Sequence, residues 1–140
     1  MDRNGIVLTA LASAGQNATF TPVQVQKLLF LIDREIPRLV GGPHFNFQPY
    51  DFGPFDSAVY DVLDRLTMQG LVSQGQARYR LYALSPVGYQ HGVGLLNGHP
   101  SAAPYIRQAA AWVRSLPFNQ LVAAIYRAYP DMKANSIFRS

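Results

Sequence analysis

Cysteine is absent from this 140-residue chain, which excludes disulfide scaffolds, thiol nucleophiles and cysteine-ligated zinc or iron–sulfur centres. Charge is scarce, with Asp, Glu, Lys and Arg at 14% against the ~25% usual for soluble proteins. Apolar residues reach 49%, far too many for an intrinsically disordered segment. A single domain of this length buries enough surface to fold without a metal or a disulfide. No apolar run approaches the ~20 residues of a membrane span, and no basic-then-apolar leader opens the sequence. These two absences lead us to expect a cytoplasmic protein. The phosphate-loop ending Gly-Lys-Ser/Thr is missing, and Gly92-Val93-Gly94 lacks the strand-turn-helix setting of a dinucleotide fingerprint. Acid is nearly missing from the second half. Residues 71–140 carry seven basic side chains against Asp131 alone, for +6, whereas residues 1–70 carry five against seven, for −2. Such asymmetry hints at nucleic acid or another anionic partner, although the basic residues are dispersed and form no short basic run.

What is present is mostly helical patterning. Ile6, Val7, Ala10, Leu11 and Ala14 predict a helix over residues 2–14. Thr21, Pro22 and Gln24 form a capping-box start, followed by the stripe Val25, Leu28, Leu29, Ile32 and Ile36, with Pro37 as the stop. Phe45, Phe47 and Pro49 read as a short extended stretch before a turn at Gly53-Pro54. Residues 55–69 form a third amphipathic helix with Phe55, Val59, Val62, Leu63 and Leu66 inward, capped by Asp51 or Gly53 and stopped by Gly70. The period then falls to two. Residues 71–84 predict a β-hairpin with Arg78 and Arg80 on one face and Tyr79 and Leu81 on the other. Ser85-Pro86 starts a short helix, and residues 97–100 interrupt. Two helices follow, one carrying Tyr105, Ala109, Trp112, Val113 and Leu116, the other Phe118, Leu121, Val122, Ile125 and Tyr129. Residues 131–140 read as a flexible tail.

Helix, helix, extended segment, helix and hairpin is the order of a winged-helix domain. We therefore expect a mainly α (α+β) fold: one winged-helix-like domain over residues 1–130, with a small β-hairpin wing. Residues 1–97 would be its core and residues 98–130 two additional C-terminal helices. The stretch Lys27-Leu28-Leu29-Phe30-Leu31-Ile32-Asp33-Arg34 resembles the "KLLYFADR" helix of the Panacea, or SocA-like antitoxin, domain family. Tyr50-Asp51-Phe52-Gly53-Pro54-Phe55 with Val59-Tyr60-Asp61-Val62-Leu63-Asp64 is similar to that family's "YGPV…YDLLD" segment. Phe55 stands where the pattern has a small apolar residue. The resemblance spans residues 20–75 and implies a winged-helix-like domain that binds other proteins, in antitoxins and in prophage or mobile-element proteins.

Catalytic signals are few. His44, His91 and His99 have no ligand-like spacing to one another or to a carboxylate on a helix, so no metal, cofactor or catalytic residue is expected. Lys27, Asp33 and Arg34 read as a structural ion network tying their helix to the Gly53-Pro54 turn. The expected partner surface is the aromatic turn with the acidic helix: Tyr50, Phe52, Phe55, Asp56, Tyr60, Asp61 and Asp64, rich in the aromatics that dominate binding hot spots. The leading expectation is a non-catalytic module that binds a protein, such as a toxin or a mobile-element protein. The alternative is a DNA-binding regulator working as a homodimer, with Arg78, Arg80, Arg107 and Arg114 on the phosphate backbone. A hydrolase with an unrecognised site is the remote third. Three aspartates on the recognition-helix face would repel phosphate, so DNA is the second choice.

Overall fold

The computed structural model describes residues 1–76 and 80–134. It is mainly helical with small antiparallel hairpins, an α+β arrangement. In chain order the elements are α1 (Arg3–Ala12), α2 (Pro22–Glu35), β1 (Gln48–Tyr50), β2 (Gly53–Phe55), α3 (Ala58–Met68), β3 (Val72–Gln76), β4 (Arg80–Leu84), α4 (Pro86–Gly98), α5 (Ala103–Ser115) and α6 (Phe118–Ala128). No helix among the described residues is long and apolar enough to cross a membrane.

The capping box of α2 forms as its sequence dictates: Gln24 N–H donates to Thr21 Oγ1, and the Gln24 side chain accepts from Thr21 N–H at 2.9 Å. Its core face is broader than the expected stripe. Every residue from Val25 to Asp33 is buried, including Gln26, Lys27 and Asp33, because α2 lies against α1, α5, β2 and β4. A helix enclosed on several sides loses its polar face. Helix α1 is likewise buried from Gly5 to Ala12, with α4 as its main neighbour. Helix α3 keeps the predicted inward set Val59, Val62, Leu63 and Leu66. It ends in a Schellman motif: Leu71 N–H donates to Leu66 O and Gly70 N–H to Thr67 O, with Gly70 at φ +76°.

The hairpin β3–β4 pairs Val72 with Leu84 through Gln76 with Arg80. Arg78 and Tyr79 lie outside the described residues. Phe20 adds an antiparallel bridge to Tyr82, with both side chains buried. The segment before α2 is thereby tied to the hairpin.

Four expectations need correction. A second hairpin, β1–β2, occupies the place of the single extended stretch, and Phe55 closes β2 instead of opening α3. The start of α3 is capped by neither Asp51 nor Gly53; the carboxylate of Asp56 accepts the Ala58 N–H at 2.9 Å. In α5, Ile106 and Ala110 are buried while Trp112 is turned outward, and in α6 Tyr126 is buried while Phe118 is exposed. The predicted Ala109 and Val113 of α5 and Leu121, Val122 and Ile125 of α6 are buried as expected, so each stripe holds at its centre and shifts only at its margin, where α5 meets α2 and α6 meets β2. Finally, the chain does not fray at Asp131. Residues Pro130–Lys133 form a 3-10 turn, Met132 is buried, and Asp131 pairs bidentately with Arg34 at 3.1 Å. Residues 135–140 lie outside the described residues.

Candidate functional site

Polar residues buried on α2 organise the surface above them. Gln26 and Asp56 exchange two hydrogen bonds, Gln26 Nε2 donating to Asp56 O at 3.0 Å and Asp56 N–H donating to Gln26 Oε1 at 3.1 Å. Asp56 Oδ2 also accepts the Asn46 N–H at 2.7 Å. This latch fixes β2 and the start of α3 on α2. The Asn46 and Ala58 N–H groups occupy the Asp56 carboxylate, which the sequence placed on the partner surface. Asp33 holds the other end of the loop, accepting from His44 N–H and Phe45 N–H at 2.8–3.0 Å. Burial lifts its carboxyl above the ordinary value, and these two backbone donors pull it back. Asp33→Ala would leave two enclosed N–H groups without acceptors and is expected to lower stability by about 2 kcal/mol, read as a shift of the urea midpoint. A variant as stable as the parent would show that water takes over the carboxylate's role.

The expected ion network is not formed. Asp33 serves backbone donors, Arg34 turns to Asp131, and Lys27 Nζ donates to Pro54 O at 3.3 Å. Lys27 does join α2 to the Gly53-Pro54 turn, but through a neutral carbonyl. Three i, i+6 and i, i+7 neighbours on an enclosed helix meet different elements, so their charges never converge.

The β1–β2 turn projects aromatic side chains. Tyr50 stacks on Phe55 with centroids 5.3 Å apart, and Phe55 meets Tyr60 at 5.8 Å. Phe52, at the tip, sits edge-on to Phe118 of α6 at 5.3 Å. Tyr50 and Phe118 keep 54% and 43% of their surface exposed, so this row is not absorbed into the core. Three cavities meet at Tyr60. The largest, about 530 Å³, runs between α2 and α6 along Pro22, Val23, Leu116, Phe118 and Leu121. A smaller one, about 210 Å³, lies under the hairpin between Val23, Tyr50, Phe52 and Phe55, and reaches Lys27. The third, about 350 Å³, is bounded by Pro22, Arg80 and Tyr82.

Tyr50, Phe52, Phe55 and Tyr60 are therefore brought together as expected, and Arg80 joins them across the third cavity. Asp61 and Asp64 are exposed on α3 beside this groove system, and Asp64 accepts from Gln74 Nε2 at 3.0 Å. Arg107 and Arg114 lie on α5, where Arg114 Nε donates to Thr19 O and its guanidinium covers the Phe20 ring. Arg114 is thus partly committed to the fold. Sequence patterning missed Val23 and Phe118 beside the groove, and weighed Lys27 only together with Asp33 and Arg34. The available signal was a lysine immediately before the five-residue apolar run Leu28–Ile32, which points to a helix buried on every side.

The histidines remain apart: the His44 ring contacts Val40 O, the His99 ring contacts Leu95 O, and His91 is exposed. Among the described residues no group of three or more His, Asp or Glu side chains is placed to hold a metal. The chain matches no family model, no curated protein and no solved structure.

Proposed function

We propose that this protein is a non-catalytic interaction module, a winged-helix-like domain of the Panacea or SocA-like antitoxin kind. It captures a protein partner, a toxin or a mobile-element protein, in the aromatic groove at Tyr60. The observation that carries this reading is the aromatic row Tyr50–Phe55–Tyr60 with Phe52–Phe118, in which Tyr50, Phe52 and Phe118 keep exposed surface and Tyr60 and Phe118 line a groove of about 530 Å³. Binding hot spots are enriched in Tyr and Trp and cluster in well-packed pockets. The winged-helix description draws support from element order and from α3 packing on both α1 and β3, with the β3–β4 hairpin as the wing. The family resemblance draws support from its two motifs, which fold as α2 and as β1–β2 with α3 around one groove.

A photoreactive benzophenone amino acid in place of Phe52 is the direct test. Crosslinking to a protein in the native host is expected there, and none is expected from Met68, which is 88% exposed and borders none of the three cavities. Crosslinks from both positions alike, or none from Phe52, would overturn the reading. DNA binding is the second reading, favoured by the exposed Arg80 on β4 and by the +6 charge of residues 71–140. Asp61 and Asp64 separate the two. Reversing both to lysine is expected to weaken protein capture by at least tenfold while changing stability by about half a kcal/mol or less. If DNA were the ligand, the same reversal would tighten binding instead, by removing repulsion from phosphate.

A further inference from the structure

Lys27 is only 3% exposed, yet it lines the smaller cavity together with Val23, Tyr50, Asp51, Phe52, Phe55 and Tyr60. An ammonium has three donors, and the Pro54 carbonyl takes one, at 3.3 Å. Among the described residues the one ion pair is Arg34–Asp131, and no carboxylate lies within 4.0 Å of the Lys27 amine. Gly53 lets the turn come this close. At φ +104° a β-carbon there would be strained, and it would meet the Tyr126 ring at 3.3 Å and Lys27 Nζ at 3.5 Å. An uncompensated buried ammonium is costly, and it sits where a ligand can enter. The cavity shares Val23 and Tyr60 with the larger groove, so one extended segment can span both.

We infer that the Lys27 ammonium binds the carboxylate of an acidic side chain from the docked partner segment, whose apolar neighbours fill the larger groove. This rests on the groove being the partner site. The volume of about 210 Å³ accommodates one side chain, and a segment docked over it would displace water, which strengthens a carboxylate–ammonium contact. The titratable groups around the amine are Tyr50, Asp51 and Tyr60, which line the cavity, and Tyr126 across Gly53. A carboxylate gains from Lys27 only while the amine is protonated, so affinity depends on that proton. Burial lowers the Lys27 pKa from 10.5 to about 8.

The test is a nuclear magnetic resonance titration of the full chain with acetyl-leucyl-glutamyl-phenylalanine amide and with its glutamine counterpart, each at millimolar concentration. The glutamate peptide is expected to shift the amides of Gly53 and Tyr60 and to bind at least tenfold more tightly than the glutamine peptide. The preference should vanish in Lys27→Met and should fall about tenfold per pH unit above pH 8, as the amine loses its proton. Equal binding of the two peptides in the wild type, or a preference that survives in Lys27→Met, would overturn the assignment. Equal binding with shifts at Val23 and Leu121 would do so while leaving the groove reading intact. Propionate binding as tightly as the peptide would overturn the partner-segment assignment in favour of a free small acid. No binding by either peptide, with Phe52 crosslinks still observed, would likewise reject the carboxylate and keep the groove.

Discussion

Replacing Gly88 or Gly92 with alanine is expected to cost at least about 3 kcal/mol, even though alanine is the better helix former by about 1 kcal/mol. Both glycines lie on the buried side of α4. A β-carbon on Gly88 would collide with the Leu71 carbonyl oxygen and lie 2.9 Å from its carbon. One on Gly92 would strike the Leu8 carbonyl oxygen and the Ala12 methyl of α1. These obstacles are backbone atoms and a methyl group held in buried elements, with no flexible side chain to swing aside. The Leu71 carbonyl is also fixed from the other side, because it accepts the Ser85 N–H at 3.0 Å. The accommodation must therefore come from moving α4 off α1 and off the start of β3. Domains of this size hold only about 5–15 kcal/mol in total, so either change removes a large share. Gly94 is the control: it is exposed, with nothing within 4 Å of a β-carbon, and Gly94→Ala is expected to stabilise by up to about 1 kcal/mol. Urea denaturation of the three variants checks this. A Gly88→Ala protein as stable as Gly94→Ala would refute the close approach of α4.

Lys27→Met should raise stability at neutral pH by about 2 kcal/mol, the opposite of what removing a hydrogen-bonded residue usually does. The lowering of the Lys27 pKa from 10.5 to about 8 corresponds to about 3 kcal/mol held against the folded state while the amine is charged in both states. Losing the bond to Pro54 O returns about 1 kcal/mol of that. Methionine fills a similar volume, so packing is nearly conserved. The direction with pH follows. Below pH 8 both states are protonated and the cost is complete. Between pH 8 and 10.5 the unfolded chain holds a proton that the folded chain lacks, so wild-type stability rises with pH. Above about pH 10 the tyrosines oppose this: burial raises the phenols of Tyr60, Tyr105 and Tyr129, and unfolding lets them ionise. Denaturation at pH 7 and pH 9 should thus show wild type gaining stability and Lys27→Met gaining none. Parallel pH profiles for the two proteins would reject a buried, unpaired Lys27. Greater stability together with loss of the glutamate-peptide preference would mark Lys27 as retained for binding at the expense of the fold.

The candidate site was legible in part. Five aromatics within eleven positions, Phe45 to Phe55, pointed to the turn, but pattern could not divide them between roles. The structure sends Phe45 and Phe47 inward, where Phe47 meets Phe30 edge-on at 5.7 Å and Arg3 covers Phe45. It leaves Tyr50, Phe52 and Phe55 around the groove. Asp56 reads on a helical wheel as surface acid. Its carboxylate is instead taken by the Asn46 and Ala58 N–H groups, while its backbone latches onto Gln26, thirty residues away, and no spacing rule carries a contact of that range.

The sequence by itself determined the features that close within a few residues. The capping box at Thr21 and Gln24, the glycine stop at Gly70 and the switch to a two-residue period after it each rest on contacts spanning five positions or fewer, or on alternation along one strand. Only the tertiary structure decided which polar side chains would be buried, which helical glycines would be indispensable and which aromatics would stay outside. Those outcomes depend on neighbours distant in the chain: α2 is enclosed by α1, α5, β2 and β4, and α4 is pressed onto α1. Burial is a property of all the elements around a residue, and local periodicity reports only one of them.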